Sequence, residues 1–137
     1  MDVRLFDKQK DYETLCEWWD DWGLTKHHPD ALSETGIKII KDGVDICVGF
    51  IYSTDSYIAW FEFITMNKKT TKQQREGALE KLFEIMVEKA KAMSFKLIMC
   101  FGLEQQNRTS PILAKWRREN IGDVIIDSMS QYYKIIN

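Results

Sequence analysis

Apolar and polar positions along the chain alternate between two periods, and the changes of period mark the elements. Val3-Arg4-Leu5-Phe6 predicts a short strand. Beyond Asp7-Lys8-Gln9-Lys10, Tyr12, Leu15, Cys16, Trp19 and Trp22 recur at helical spacing, with Asp11 available as a cap and Gly23 as a stop. LTKHHPDALSETG carries Pro29, Ser33 and Gly36 and reads as loop with at most one short helix. From Gly36 to Thr65 three β-rich runs follow, GIKII, DICVGFIY and YIAWFEFIT, separated by Asp42-Gly43 and by STDS. Asp-Gly suits a two-residue hairpin turn that needs positive φ, so the three runs predict an antiparallel meander.

From Arg75 the period lengthens again. Ala78, Leu79, Leu82, Phe83, Met86, Val87, Ala90 and Met93 form one apolar face, with Glu80, Lys81, Glu84, Glu88 and Lys91 on the other. FKLIMCF, Phe95 to Phe101, is continuously apolar, as a strand covered on both faces is. Strand, helix and strand make a βαβ crossover, which sets the fourth and fifth strands side by side and parallel. Pro111 suits the first turn of a helix reaching about Asn120, and VIIDSM and YYKII supply one or two last strands. No repeat or low-complexity tract is present.

Composition narrows the class. The 137 residues fit one domain spanning 1–137, and 45% hydrophobic with 29% charged residues is globular usage. Nineteen Lys+Arg against twenty-one Asp+Glu give a net charge of −2, so any anion site is local and a nucleic-acid role for Lys115, Arg117 and Arg118 is disfavoured. Cys16, Cys47 and Cys100 are few and far apart, which reads as reduced thiols in a cytoplasmic protein. No segment reads as a leader or a membrane span. His27-His28 has no metal-ligand spacing around it, so no metal is expected and the pair reads as polar loop.

Strand, helical region, three antiparallel strands, a Gly-containing loop opening a long helix, a buried strand, a helix and terminal strands resemble the GNAT superfamily of N-acetyltransferases. The family loop reads Gln/Arg-x-x-Gly-x-Gly/Ala. Here Gln74-Arg75-Glu76-Gly77-Ala78-Leu79 supplies its first two fixed positions and departs at Leu79, while a register one later uses Arg75 and Ala78 and also departs. Trp22-Gly23-Leu24, Thr35-Gly36, Asp42-Gly43, the run Gly49 to Ser56, Ala59-Trp60 and Asn67 look like small acetyltransferase-like proteins encoded by bacteriophages. The resemblance implies an α/β fold with a mixed, mostly antiparallel sheet flanked by helices, and a fourth strand splayed from the fifth.

It also implies acetyl-CoA as cofactor. A helix entry leaves unpaired N–H groups for a diphosphate, with Gly77 and Ala78 keeping the approach open and Lys68, Lys69, Lys72 or Arg75 adding charge; Gln74 and Glu76 complete the loop. The fourth strand's backbone at Ile64, Thr65 and Met66 would pair with the pantetheine arm, and Asn107 stands near the family's cofactor-contacting Asn. Glu62, interrupting an apolar run, is the candidate base, or else a solvent-facing residue of a half-exposed sheet. Where the family often has a Tyr acid, this chain has Trp116; Tyr132 or Tyr133 could serve, or could simply pack. Trp19 and Trp22 read as core, leaving Trp18 with Asp20 and Asp21 to face a cationic amine acceptor. Two functions follow: an N-acetyltransferase for a primary amine of a protein lysine, polyamine or metabolite, or an inactive GNAT-fold interaction protein. A homodimer through terminal strands or sheet edges is compatible with both.

Overall fold

The chain runs β1 (Asp2–Leu5), α1 (Lys8–Asp21), a 3-10 turn (Pro29–Ala31), β2 (Thr35–Lys41), β3 (Val44–Ser53), β4 (Ile58–Met66), α2 (Lys72–Arg75), α3 (Ala78–Ala92), β5 (Leu97–Leu103), β6 (Gly122–Ile126) and β7 (Met129–Ile135). A computed structural model describes residues 1–103, 122–126 and 129–136. The expected helix from Pro111 lies outside them, as does Asn107. The residues fall into two compact units, Met1–Ile51 with Phe63–Met86, and Tyr52–Glu62 with Val87–Asn137.

In the first unit β1 pairs antiparallel with β2, and β2 with β3. Asp42 (φ 52) and Gly43 (φ 76) both take positive φ between the paired residues Lys41 and Val44, which is the twist-matched hairpin that Asp-Gly favours. Gly36 to Ile40 are all buried, without the alternation of a one-sided sheet. The cause is cover on both faces. Lys38 meets Asp11 of α1 on one face; its register partner's neighbour Gly49 faces the other way, where an added Cβ would lie 2.7 Å from Met86 Sδ of α3. Cys47, on that same α3 face, donates its thiol to the Ala78 carbonyl at 3.8 Å, and burial pushes its pKa up to about 12. Gly36 is required for a different reason: a Cβ there would strike the Phe50 ring and Phe6, which meet edge to face at 5.0 Å.

Two expectations for α1 need correction. The cap is Asp7, whose carboxylate accepts from the Gln9 and Lys10 amides, while Asp11 accepts from the Asp7 amide and pairs with Lys38. The helix thus starts before the apolar pattern does. Its buried stripe is Leu15, Trp18 and Trp19, so Trp18 is core at 4% exposure. The helix stops at Asp21, and Trp22, now outside the helical phase, is 45% exposed.

In the second unit β4 and β5 pair in parallel from Ile58↔Leu97 to Phe61↔Cys100, β5 pairs antiparallel with β7, and β7 with β6. The βαβ reading is met, because α3 is the connection between the two parallel strands. Among the described residues no helix is long and apolar enough to cross a membrane, and no disulfide joins Cys16, Cys47 or Cys100.

Candidate active site

The segment 67–78 is built around Asn67. Its amide donates to Ile46 O at 2.8 Å, its side-chain amide donates to Asp45 O at 2.9 Å, and its Oδ1 accepts from the Lys69 amide at 3.1 Å, an Asx turn that reverses the chain after β4. Thr70 Oγ1 closes the turn on the Asn67 carbonyl at 2.6 Å. Thr71 and Gln74 then form a reciprocal capping box, Gln74 Oε1 accepting from the Thr71 amide at 2.8 Å and Thr71 Oγ1 from the Gln74 amide at 3.2 Å. That box makes α2 a separate single turn. The continuous helix expected from Arg75 breaks at Glu76 and Gly77, and α3 starts at Ala78.

Three of the four cations expected to face an anion are bonded within the protein. Lys68 Nζ donates to Asp21 O at 3.1 Å and lies 5.0 Å over the Trp22 ring. Lys69 lies 3.7 Å from Asp21 Oδ2, an ionic approach too long for a hydrogen bond, and that buried oxygen accepts none. Arg75 Nη1 donates to Thr70 O at 2.6 Å. Lys41, which nothing in the charge pattern singles out, donates to the carbonyls of Gln73 at 3.1 Å and Glu76 at 3.4 Å. Only Lys72 of the four is exposed with no polar partner among the described residues.

Lys41, Lys68 and Arg75 therefore hold carbonyls, and the amides are left over. Gly77 has φ 74, and its carbonyl accepts from the Lys81 amide at 3.1 Å as the first bond of α3. The N–H groups of Gly77, Ala78, Leu79 and Glu80 meet no acceptor among the described residues. Four such donors at the positive end of a helix dipole fit an anion, and loop carbonyls tied off behind them keep opposing dipoles away. The approach is narrowed on one side, where an added Cβ on Gly77 would lie 3.2 Å from Met1 Cε. Glu80, in the first turn, is a negative charge on the same end.

β4 carries the other candidate residues. Phe63 takes φ 53, a backbone state rare for a bulky residue in a strand. Thr65 Oγ1 donates to the Phe63 carbonyl at 2.9 Å, and Thr65 is buried. Met66 O accepts from the Trp22 indole at 2.8 Å. Since Asn67 N points to β3, alternation aims the backbone groups of Met66 and Ile64 at the opposite edge and those of Thr65 toward β3. Glu62 is half-buried, directly after the last β4–β5 register pair. Tyr132 and Tyr133 lie in β7, in register with Cys100 and Met99.

His27 emerges beside Phe63, with ring centroids 4.8 Å apart, and both rings meet Trp19, at 5.6 and 5.9 Å. Tyr12 fixes the segment by donating to His27 O at 2.8 Å. No periodicity predicts this, because His27 sits in the loop and its neighbours come from α1 and β4. His28 accepts from the Asp30 amide at 3.1 Å, and no group of three or more His, Cys, Asp or Glu among the described residues is placed to hold a metal. The acidic pair expected at an acceptor surface is engaged: Asp20 with Lys26 at 2.8 Å, Asp21 with Lys69.

The fold that carries these residues is the GNAT fold. An acetyltransferase of the GNAT family from Staphylococcus aureus matches with a TM-score of 0.73, at 9% identity, over 99% of both chains. The ribosomal-protein-S18-alanine N-acetyltransferase of Escherichia coli matches at 0.75 and 8%, over 99% of this chain and 94% of that one. The N-acetylglutamate synthase of Neisseria gonorrhoeae, complexed with coenzyme A and L-arginine, matches at 0.71 and 8%, over 99% of this chain and 33% of its own. No family model matches the chain, and neither does any curated protein by sequence.

Proposed function

We propose that the chain is a single-domain, acetyl-CoA-dependent N-acetyltransferase for a primary amine. The observation that carries the reading is the set of four N–H groups at Gly77–Glu80 that meet no acceptor among the described residues, behind which Lys41, Arg75 and the Thr71–Gln74 box fix the loop. In this reading those amides hold the diphosphate, Lys72 adds the mobile charge, and Gln74, Arg75 and Glu76 act through loop geometry instead of direct contact. Ile64 offers its backbone to the pantetheine arm; Met66 O is already taken by Trp22.

Acetyl-CoA would supply an acetyl group activated as a thioester. Glu62 would take a proton from the ammonium acceptor to free its lone pair for the thioester carbonyl, Tyr132 or Tyr133 would give a proton to the thiolate released as the C–S bond breaks, and the second proton lost by the nitrogen as the amide forms would return the tyrosine to its neutral form. Asn107 belongs to the cofactor side of the same reading, as do a phage origin and a cytoplasmic location to its biology. A second reading, an inactive GNAT-fold interaction protein, is favoured by the Trp22 indole on the β4 carbonyl and by Leu79 in the loop motif.

Calorimetric titration with acetyl-CoA tests the first step, with Gly77→Asp beside the wild type. The variant places a short, negatively charged side chain at φ 74 beside Ala78 N, and binding is expected to be lost while the fold is kept. Thiol release with a panel of amines decides the rest. Saturable binding with thiol release supports the enzyme; binding with none across the panel supports the interaction protein; no binding by folded wild type removes both the cofactor and the mechanism.

A further inference from the structure

We propose that β1 is a self-complementary docking strand through which two copies of this chain pair into a two-fold dimer. Among the described residues the strand pairs with β2 alone, along one edge, and all four of its residues are exposed. Val3 is 37% and Leu5 64% exposed. An uncovered edge with apolar side chains is a template for another strand, and natural proteins usually block one with lysine, proline or a bulge. Asp2-Val3-Arg4-Leu5 has no lysine, proline or bulge; the strand is short and charged, but its two charges are of opposite sign, so they match an antiparallel copy of itself.

The ladder says which residues present themselves. Phe6 N donates to Gly36 O at 2.8 Å, so by alternation Arg4 and Asp2 also turn their backbone groups to β2. Those of Val3 and Leu5 therefore point away from β2. An antiparallel copy centred on Val3 can exchange two N–H to O=C bonds between Val3 and the partner's Val3, the closely bonded pair that this geometry requires. The same register sets Asp2 opposite the partner's Arg4, and Arg4 opposite the partner's Asp2, in the intervening sites where side chains come closest. Leu5 falls opposite the partner's Met1, itself 54% exposed.

Charge makes a second copy the fitting occupant. Across β2, Arg4 stands in register with Lys38, a like charge, and neither Asp2 nor Arg4 has an ion pair among the described residues. The two-fold register supplies each with its missing counter-charge, twice per dimer. A strand shifted by one residue would set Asp2 against Val3 instead, so the charges select the register. With so short a ladder, the dimer is of the weak, concentration-dependent class.

Sedimentation of the full chain over a wide concentration range tests this, with three variants. Wild type is expected to move from one to two chain masses as concentration rises. Asp2→Arg and Arg4→Asp are each expected to stay monomeric, since each sets like charges together at both sites. Their equimolar mixture is expected to regain a dimer, because positions 2 and 4 are then both arginine in one copy and both aspartate in the other. Val3→Pro removes an outward-facing N–H without removing a β1–β2 bond, so it is expected to keep the monomer's melting behaviour and lose association. A wild type monomeric throughout overturns the proposal. So does a dimer indifferent to the charge reversals, which would lie on another surface, and so does a monomeric chain that instead binds an added Asp-Val-Arg-Leu peptide without pairing with itself.

Discussion

Lys38 and three cations that meet the loops beside β4 and α1, Lys41, Lys68 and Arg75, use the same charge in opposite ways. Lys38 is nearly buried, and its ammonium lies 2.8 Å from Asp11 and 3.3 Å from Asp45, carboxylates from α1 and β3. Burial opposes its charge, but the Asp11 hydrogen bond and the two acidic charges outweigh it and hold the Lys38 pKa above the ordinary value. Lys41, Lys68 and Arg75 meet backbone carbonyls instead. A carboxylate neutralises a cation; a carbonyl only orients it. The first arrangement locks α1 to the sheet, and the second leaves net positive charge along a loop whose free groups are amides.

Lys38→Met breaks the locked side and has the largest expected effect. Removing the ammonium leaves Asp11 and Asp45 facing one another, at a cost of about 3 kcal/mol. Urea unfolding at neutral pH measures it. The pH dependence should also change sign. In the wild type, burial pushes the Asp11 carboxyl up, but the Lys38 bond, the Asp7 amide and the lysine charges more than offset this, and its pKa lies below the usual range. A depressed acid stabilises above its unfolded pKa and loses that contribution as pH falls through the folded one. The raised Lys38 pKa works in the opposite direction, its contribution complete below the unfolded value and lost as pH climbs through the folded one. Without the lysine, burial and Asp45 raise the Asp11 pKa, so stability should rise on mild acidification. A Lys38→Met protein that weakens in acid as the wild type does would mean the two carboxylates do not depend on this cation.

What the sequence made legible was periodic or local. The Asp42-Gly43 hairpin needs only its own two residues, and the face Ala78, Leu82, Phe83, Met86 and Ala90 repeats over enough turns to declare itself. The parallel β4–β5 ladder followed from their order around one helix. The tryptophans are ambiguous in sequence because Leu15, Trp18 and Trp19 and the alternative ending at Trp22 are both helical patterns; the helix end at Asp21 decides between them, and it depends on a cap rather than a period. The loop cations were readable as charge but not as contacts. Their acceptors are carbonyls 5 to 47 residues away, which no residue type announces. The same holds for His27, placed by Phe63.

Trp22→Phe sharpens the oriented side of the comparison. It keeps a ring for Lys68 and removes one donor, the indole N–H on Met66 O. The expected loss is modest, about 1 kcal/mol, because the bond is exposed and water can replace it. Its reach should be local: faster hydrogen exchange at the Thr70 amide, whose turn follows Met66, with the Asn67-to-Ile46 amide unchanged. Uniform acceleration over both amides would mean the indole bond supports the whole segment, and α1's end would then be part of the loop's foundation.

Lys72→Ala carries the smallest expected effect and separates charge from architecture most cleanly. Lys72 is exposed at the start of α2, has no polar partner among the described residues, and is not part of the capping box. Stability should change by about 0.5 kcal/mol or less. If the segment holds a diphosphate, the lost charge should weaken acetyl-CoA binding about threefold at low salt, the scale of an exposed ion pair, and the difference should shrink as salt screens it. Arg75→Ala provides the contrast. It frees the Thr70 carbonyl, so its effect on binding should persist in salt, because geometry is not screened. Equal salt dependence in both variants would place Arg75 against the ligand instead of behind the loop.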